Sequence, residues 1–355
     1  MYRNYIANPV PSLKERYIKY RNKLKSVLLK AKQSYYLNKF KLASGNLRRT
    51  WKLINNVLDK NRADNCVINF VKNGSIINSP KDIVEHFNDY FVNIGSNLAS
   101  AIPPQTKHFS SYMQNSTSNS LALYFTDANE VINVVNGFSN KSSSGCDNVP
   151  VDVMKASILQ IAEPLAAMIN CSFRTGTFPD NLKIAKVCPV FKSGSVSNFS
   201  DYRPISVLPS FSKVFEKIAY NRLYNFVNSQ DILTSCQYGF RPKHSTYMAI
   251  LDMYDSISAA LDNNKFAIGI FIDLAKAFDT LNHDLLCRKL EIYGIRGIPL
   301  QWFKSYLSNR KQYVSLNGIS SSQKNITCGV PQGSIMGPLL FIFYINDIVR
   351  CSSLL

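Results

Sequence analysis

Leu13, Tyr17, Tyr20, Leu24, Val27, Ala31 and Tyr35 recur at steps of three and four, the spacing of one helix face. Lys and Arg fill the other faces. The spacing predicts a long amphipathic helix, basic outside, whose tyrosines pack on a partner or stack on bases; packing into a core is the commoner fate of such a stripe. A second helical stretch around Trp51–Leu58 leads into a predicted hairpin at 71–75, where Asn73-Gly74 suits a tight turn. From Ile83 to Leu98 the period is again helical, with Ile83, Phe87, Tyr90, Phe91 and Ile94 on one side. The pattern then fades into Ser, Asn, Pro and Gln, the composition of a linker. A new unit opens at Asp127-Ala-Asn-Glu130, which has the spacing of a capping box, with Val131, Val134, Val135 and Phe138 behind it. After residue 150 helical periods alternate with short apolar runs, the signature of a mixed α/β (α+β) domain. One such run, Phe266 to Ile272, has the length of a single buried strand and delivers Asp273 at its end. The expected organisation is a basic helical region over 1–98, a linker over 99–126 and a mixed domain over 127–355.

Charge sharpens this picture. The chain of 355 residues has a formal net charge of +18. Residues 1–60 hold fifteen Lys and Arg against Glu15 and Asp59, so +13 of that charge sits in the first sixth of the chain. Such density concentrates anions and suits a phosphate backbone; the alternative is a solvated helix face. The eight cysteines (66, 146, 171, 188, 236, 287, 328, 351) contain no Cys-x-x-Cys pair, which excludes the common zinc spacings. The longest apolar run, Leu339 to Ile345, is too short to span a bilayer, and no membrane partner is expected. No signal-peptide pattern opens the chain, so the expectation is an intracellular protein, cytoplasmic, nuclear or both, with reduced thiols.

Chemistry concentrates in two segments. Asp273, at the carboxyl end of an apolar run, is a fixed carboxylate of the kind that holds a hard divalent cation; a strand-end Asp can also merely cap a turn. Some fifty-six residues on, Gly329-Val-Pro-Gln332-Gly333-Ser334 and Gly337-Pro338 form a glycine-rich turn opening a helix, with one amide side chain that can both donate and accept. Two basic residues, Lys192 in Cys188-Pro-Val-Phe-Lys192-Ser-Gly-Ser and Arg203 in Tyr202-Arg-Pro-Ile-Ser206, have the chemistry to grip a triphosphate.

These segments, in this order, resemble the core motifs of reverse transcriptases of the non-LTR (LINE-type) retrotransposons. Ser144-Gly-Cys-Asp147, Phe178-Pro-Asp180, Phe215-Glu-Lys-Ile218 with Arg222-Leu223, and Gln237-Tyr-Gly-Phe240-Arg241-Pro continue the likeness. Residues 35–98, with Trp51 and Phe87-Asn-Asp-Tyr-Phe91, look like the segment between endonuclease and polymerase in such elements. The resemblance implies the fingers and part of the palm of a right-hand polymerase, working on an RNA template and DNA primer with dNTPs and Mg²⁺ (or Mn²⁺). It implies Asp273 and the backbone carbonyl of Leu274 as metal ligands, with Asp273 catalytic. Phe278 becomes the ring that excludes a ribose 2′-hydroxyl, and Gln332 with Gly333 lines the incoming nucleotide. Lys192 and Arg203 then contact the triphosphate. Lys183 and Lys186 face template or solvent, and Arg241 contacts the template backbone or braces the junction of fingers and palm. Asp279 reads as a capping acid, and Asp347 as structural.

One element of the pattern is missing. Tyr344-Ile-Asn-Asp347 normally leads to a hairpin bearing aromatic-Ala-Asp-Asp, and the sequence stops eight residues after Asp347. The expectation is therefore a polymerase-family chain that is inactive as given. The alternatives are a non-catalytic nucleic-acid binder and a metal-dependent phosphohydrolase using Asp273 and Asp279; no histidine or carboxylate cluster accompanies that second pair.

Overall fold

The computed structural model describes residues 2–7, 9–58, 69–72, 75–103, 107–113, 117–141 and 143–350. The chain forms two compact units that divide between Val67 and Ile68. The first is helical: α1 (Tyr2–Ala7), α2 (Pro11–Leu42) and α3 (Leu47–Val57). The predicted long helix is present as α2, opened by Pro11 in its first turn, where a missing N–H costs nothing. Its apolar stripe meets no core: no described side chain of α2 is buried, and Tyr20, Leu24, Val27 and Tyr35 are exposed. Asn46 caps α3 through Arg49 N at 3.1 Å.

The second unit contains two layers around a sheet. Strands β1 (Phe70–Lys72) and β2 (Ser75–Ile77) pair antiparallel with Lys72 opposite Ser75, the register of a two-residue turn. The turn residues Asn73 and Gly74 lie outside the described residues. The main sheet comprises β3 (Ile184–Phe191), β4 (Tyr202–Val207), β5 (Arg310–Leu316), β6 (Ile319–Ser320) and β7 (Lys324–Ile326). β3 lies between β4, antiparallel, and β5, parallel; β6 and β7 both pair with β5.

Helix α4 (Pro80–Ser100), capped by Ser79, lays Ile83, Val84, Phe87, Phe91 and Ile94 against the face of the sheet that carries Ala185, Val187 and Val314. This helix thus belongs to the second unit, although its sequence follows directly on the basic region. The other core gathers α5 (Ala128–Asn136), α6 (Val151–Thr175), α7 (Ser210–Ser229), α9 (His283–Ile292), α10 (Gly297–Leu307) and α11 (Gly337–Ile345). At its centre Phe178, Trp302, Tyr306 and Phe215 meet edge to face or stacked, a geometry that adds to their burial. α6 is long and apolar enough to cross a membrane by length and composition, but Met154, Ile158, Ala162, Ile169 and Phe173 on it are buried in this core.

Asp127 caps α5 through Glu130 N at 2.8 Å, as the capping-box spacing predicts. The Glu130 carboxylate does not return to the cap; it is taken by Thr126 and by buried Arg222. Parts of the expected linker are pinned: Leu121 is buried with its N–H on Gly294 O, and Arg296 donates to Thr117 O.

The predicted strand at 266–272 is absent. The segment that follows α8 (Thr246–Asp262) is irregular, with Phe266 98 % and Ile270 81 % exposed. A continuous apolar run is stable as a strand only between neighbours that cover both faces and complete its ladder. Among the described residues no strand pairs with it, and α8 itself buries no side chain.

Candidate nucleotide site

Three motif segments meet at one edge of the sheet. The loop 328–335 arrives from β7, and Gln332 O accepts a hydrogen bond from Ser206 N of β4 at 2.8 Å. From the other side, Val330 N donates to Phe278 O at 2.8 Å and Gly329 N to Leu281 O at 2.7 Å. The His283 ring is 2.7 Å from Gly329 O, and Cys328 Sγ reaches Asp279 O. These contacts staple the loop to the 278–283 turn on one side and to β4 on the other. Gly333 is required here by φ of +134° and because a Cβ would stand 2.3 Å from Ser206 O.

Within this junction Gln332 Nε2 lies 3.0 and 2.9 Å from the two carboxylate oxygens of Asp279. Burial raises the Asp279 carboxyl to about 6, against the opposing pull of Gln332 and of the Lys276 charge. Pro204, Ser206, Asp279, Arg310, Gln312 and Gln332 are among the residues lining a narrow cavity of about 30 Å³. A wider depression between α5 and α7, lined by Asp127, Glu130, Val134, Phe138 and Lys217, holds none of the predicted nucleotide or metal residues. Phe278 is half-buried, its ring against Phe240 and Phe341 at centroid distances of 5.7 and 5.1 Å.

Behind the loop stands a buried polar group that the sequence reading passed over. Glu216, fully buried on α7, accepts Ile335 N at 2.6 Å and the Tyr306 hydroxyl at 3.1 Å. Burial pushes its carboxyl up, opposed first by the Arg310 guanidinium. Arg310 is itself buried, donates to Tyr306 O and lies over the Tyr306 ring. A signal existed: Glu216 is a lone acid among Val214, Phe215, Ile218 and Ala219, on the inward side of a helix.

The remaining predicted residues fall in different places. Lys192 and Arg203 are both exposed on the β3–β4 hairpin, where Val190 faces Arg203 and Lys192 N bonds Asp201 O. Lys186 is half-buried on β3. Lys183 does not face outward: it is buried, with Nζ on Asp180 Oδ1 at 2.7 Å, so its charge is spent inside the fold. Arg241 donates to Thr234 O at 3.0 Å, a bracing contact. Asp347 pairs with Lys289 in a buried ion pair. Asp273 and Leu274 sit exposed on the irregular segment, apart from the stapled junction. Among the described residues no three His, Cys, Asp or Glu side chains gather as a metal site.

Comparison with known proteins agrees with this arrangement of motifs. Residues 191–353 match the reverse transcriptase (RNA-dependent DNA polymerase) family. The "Probable RNA-directed DNA polymerase from transposon BS" of Drosophila melanogaster is 33% identical over 223 residues, 62% of this chain and 24% of that protein. The "RNA-directed DNA polymerase from mobile element jockey" of the same fly is 32% identical over 243 residues, 66% of this chain and 26% of that protein. A "Retrovirus-related Pol polyprotein from type-1 retrotransposable element R1" of Bradysia coprophila is 28% identical over 226 residues, 63% of this chain and 22% of that protein. The chain spans about a quarter of the length of these relatives. With the motif segments joined as described, residues 191–353 carry a reverse transcriptase domain similar to those of non-LTR retrotransposon polymerases.

Proposed function

We propose that this chain supplies the nucleotide-facing part of an RNA-directed DNA polymerase, which extends a DNA primer on an RNA template with dNTPs. One observation carries the reading: the Gln332 loop is bonded at once to Ser206 on the Arg203 strand and to the Phe278–Asp279 turn. Residues suited to triphosphate, sugar and base are thereby held on one frame. In this reading Lys192 and Arg203 take the triphosphate, Phe278 stands against a 2′-hydroxyl, and Gln332 with the open backbone at Gly333 borders the nucleotide. Lys186 and Arg241 lie nearer the template path, and the basic helices of the first unit hold the nucleic-acid backbone through counterion release.

Two-metal nucleotidyl transfer needs several fixed oxygens around Mg²⁺ or Mn²⁺. The donors described here do not fit it. Asp273 and the Leu274 carbonyl lie on an unpaired exposed segment, and one carboxylate cannot clamp two cations. We therefore assign to this chain binding and positioning, and no bond-making on its own.

Binding of a fluorescent dNTP to the chain tests the reading. Arg203→Ala should weaken it roughly tenfold, the worth of one charge-assisted contact; unchanged binding would remove Arg203 from the site. Primer extension by the isolated chain, abolished by Asp273→Ala, would overturn the claim of inactivity. RNA affinity should fall on the order of 10³-fold between 50 and 200 mM salt if six or more phosphates are contacted. Salt-insensitive binding would dismiss the basic unit as a nucleic-acid holder.

A further inference from the structure

We propose that Asp279 is the positioning residue of Gln332: it fixes the amide with its nitrogen turned inward, so that the carbonyl oxygen is the atom offered to a nucleotide. The inference rests on the reading of Gln332 as a nucleotide neighbour and specifies its chemistry.

The argument is one of donors and acceptors. A glutamine amide has one nitrogen with two donor hydrogens and one oxygen that only accepts. An ionised carboxylate only accepts, so the nitrogen is the end that must face it. The geometry agrees, with Nε2 nearly equidistant from Oδ1 and Oδ2 at 3.0 and 2.9 Å. No other side-chain bond of Gln332 occurs among the described residues, and its main-chain oxygen is already taken by Ser206 N. Its Oε1 is therefore the uncommitted atom. An acceptor oxygen suits a sugar hydroxyl or an exocyclic amine and disfavours phosphate, a task that falls to Lys192 and Arg203.

The carboxylate is well held for this role. The turn that carries it is fixed by Asp279 N to Lys276 O at 2.8 Å, and its own carbonyl meets Cys328. A Cβ on Gly95 would meet Asp279 O at 2.2 Å, so α4 also presses on this turn. The charged and titratable neighbours are Lys276 on the same turn, Tyr90 on α4, Cys328 and His283 at the loop, and Arg310 across the cavity. When Asp279 takes up a proton, it becomes a donor as well as an acceptor, and the amide is free to turn over.

Nitrogen-15 NMR of the glutamine side-chain amides in the 355-residue chain tests this, with Gln332→Leu identifying the Gln332 signal. The Gln332 NH₂ pair should shift with pH around 6, and Asp279→Asn should abolish that shift while His283→Asn leaves it in place. A flat response, or one that survives Asp279→Asn, overturns the proposal whatever Gln332 binds. In a second arm, dATP should shift the Gln332 signal whereas tripolyphosphate should not. An equal shift by tripolyphosphate would refute the acceptor assignment. If neither ligand moves a signal that does follow Asp279, the positioning role stands and the nucleotide reading of Gln332 falls.

Discussion

Residues 246–274 and the junction of 278–283 with 328–335 are two stretches of equal motif quality and opposite fate. Both carry residues that resemble a polymerase core motif. Yet the first leaves Tyr247, Leu251, Tyr254, Phe266, Ile270 and Phe271 exposed, while the second is closed by backbone and side-chain bonds on two sides. The difference lies in partners. The Gln332 loop finds β4, the Phe278 turn and Glu216 within this chain. The Asp273 segment finds no strand among the described residues. A motif fixes which chemistry a segment brings; its neighbours decide whether that chemistry is held in place.

The comparison breaks first if the junction is not what stabilises its side. Glu216→Leu removes the acceptor of Ile335 N and Tyr306 and leaves Arg310 without the opposite charge. Taking one partner from a buried ionic group costs about 3–5 kcal/mol. Urea denaturation should show that loss, and a change below about 1 kcal/mol would show that Glu216 is not a keystone of the loop.

A second measurement uses Asp279. Its folded carboxyl stands near 6 against an ordinary 3.8, so the folded chain binds the extra proton between those values. Stability should therefore fall as pH rises from about 4 to about 6, by about 2–3 kcal/mol, and level off above. Glu216, also raised, acts in the same sense, so the Asp279 share is the difference between wild type and Asp279→Asn. Identical pH profiles for the two chains would contradict the buried position of Asp279.

How far the sequence reached follows from the same physics. Helices α2 and α4 were legible because a 3.6-residue period needs only the helix itself to be written into the chain. The Asp127 cap was legible because it spans three residues. Lys192 and Arg203 were read as triphosphate contacts from their chemistry, and the structure puts both, exposed, on the β3–β4 hairpin. The strand at 266–272 was misread because a strand is a property of a pair, and periodicity does not report whether the partner exists. Lys183 was misread because a basic residue looks alike whether solvated or turned in to Asp180. Asp279 was read as a cap, since its bond to Gln332 spans fifty-three residues and leaves no local mark.

Gly333→Ala probes the junction more gently. The new Cβ would meet Ser206 O at 2.3 Å in a backbone conformation that side chains avoid, so the loop must move off β4. The expected cost is about 1–3 kcal/mol, with loss of hydrogen-exchange protection at Ser206 N. Full protection in the variant would mean that the Ser206–Gln332 bond does not hold the loop.

The smallest effect is the most discriminating for the other side. Phe271 is 83 % exposed and belongs to no sheet, so Phe271→Ser should change stability by less than about 0.5 kcal/mol. Were the segment a buried strand in solution, the same truncation of a large aromatic would cost about 3–5 kcal/mol. The two states thus differ by a margin that one pair of urea curves resolves. Limited proteolysis gives an independent reading, because an unpaired segment is cut before a stapled one. Cleavage should appear within 264–275 while 328–335 remains intact. A protected 264–275, together with a costly Phe271→Ser, would mean that something covers this run in solution and that Asp273 is held after all.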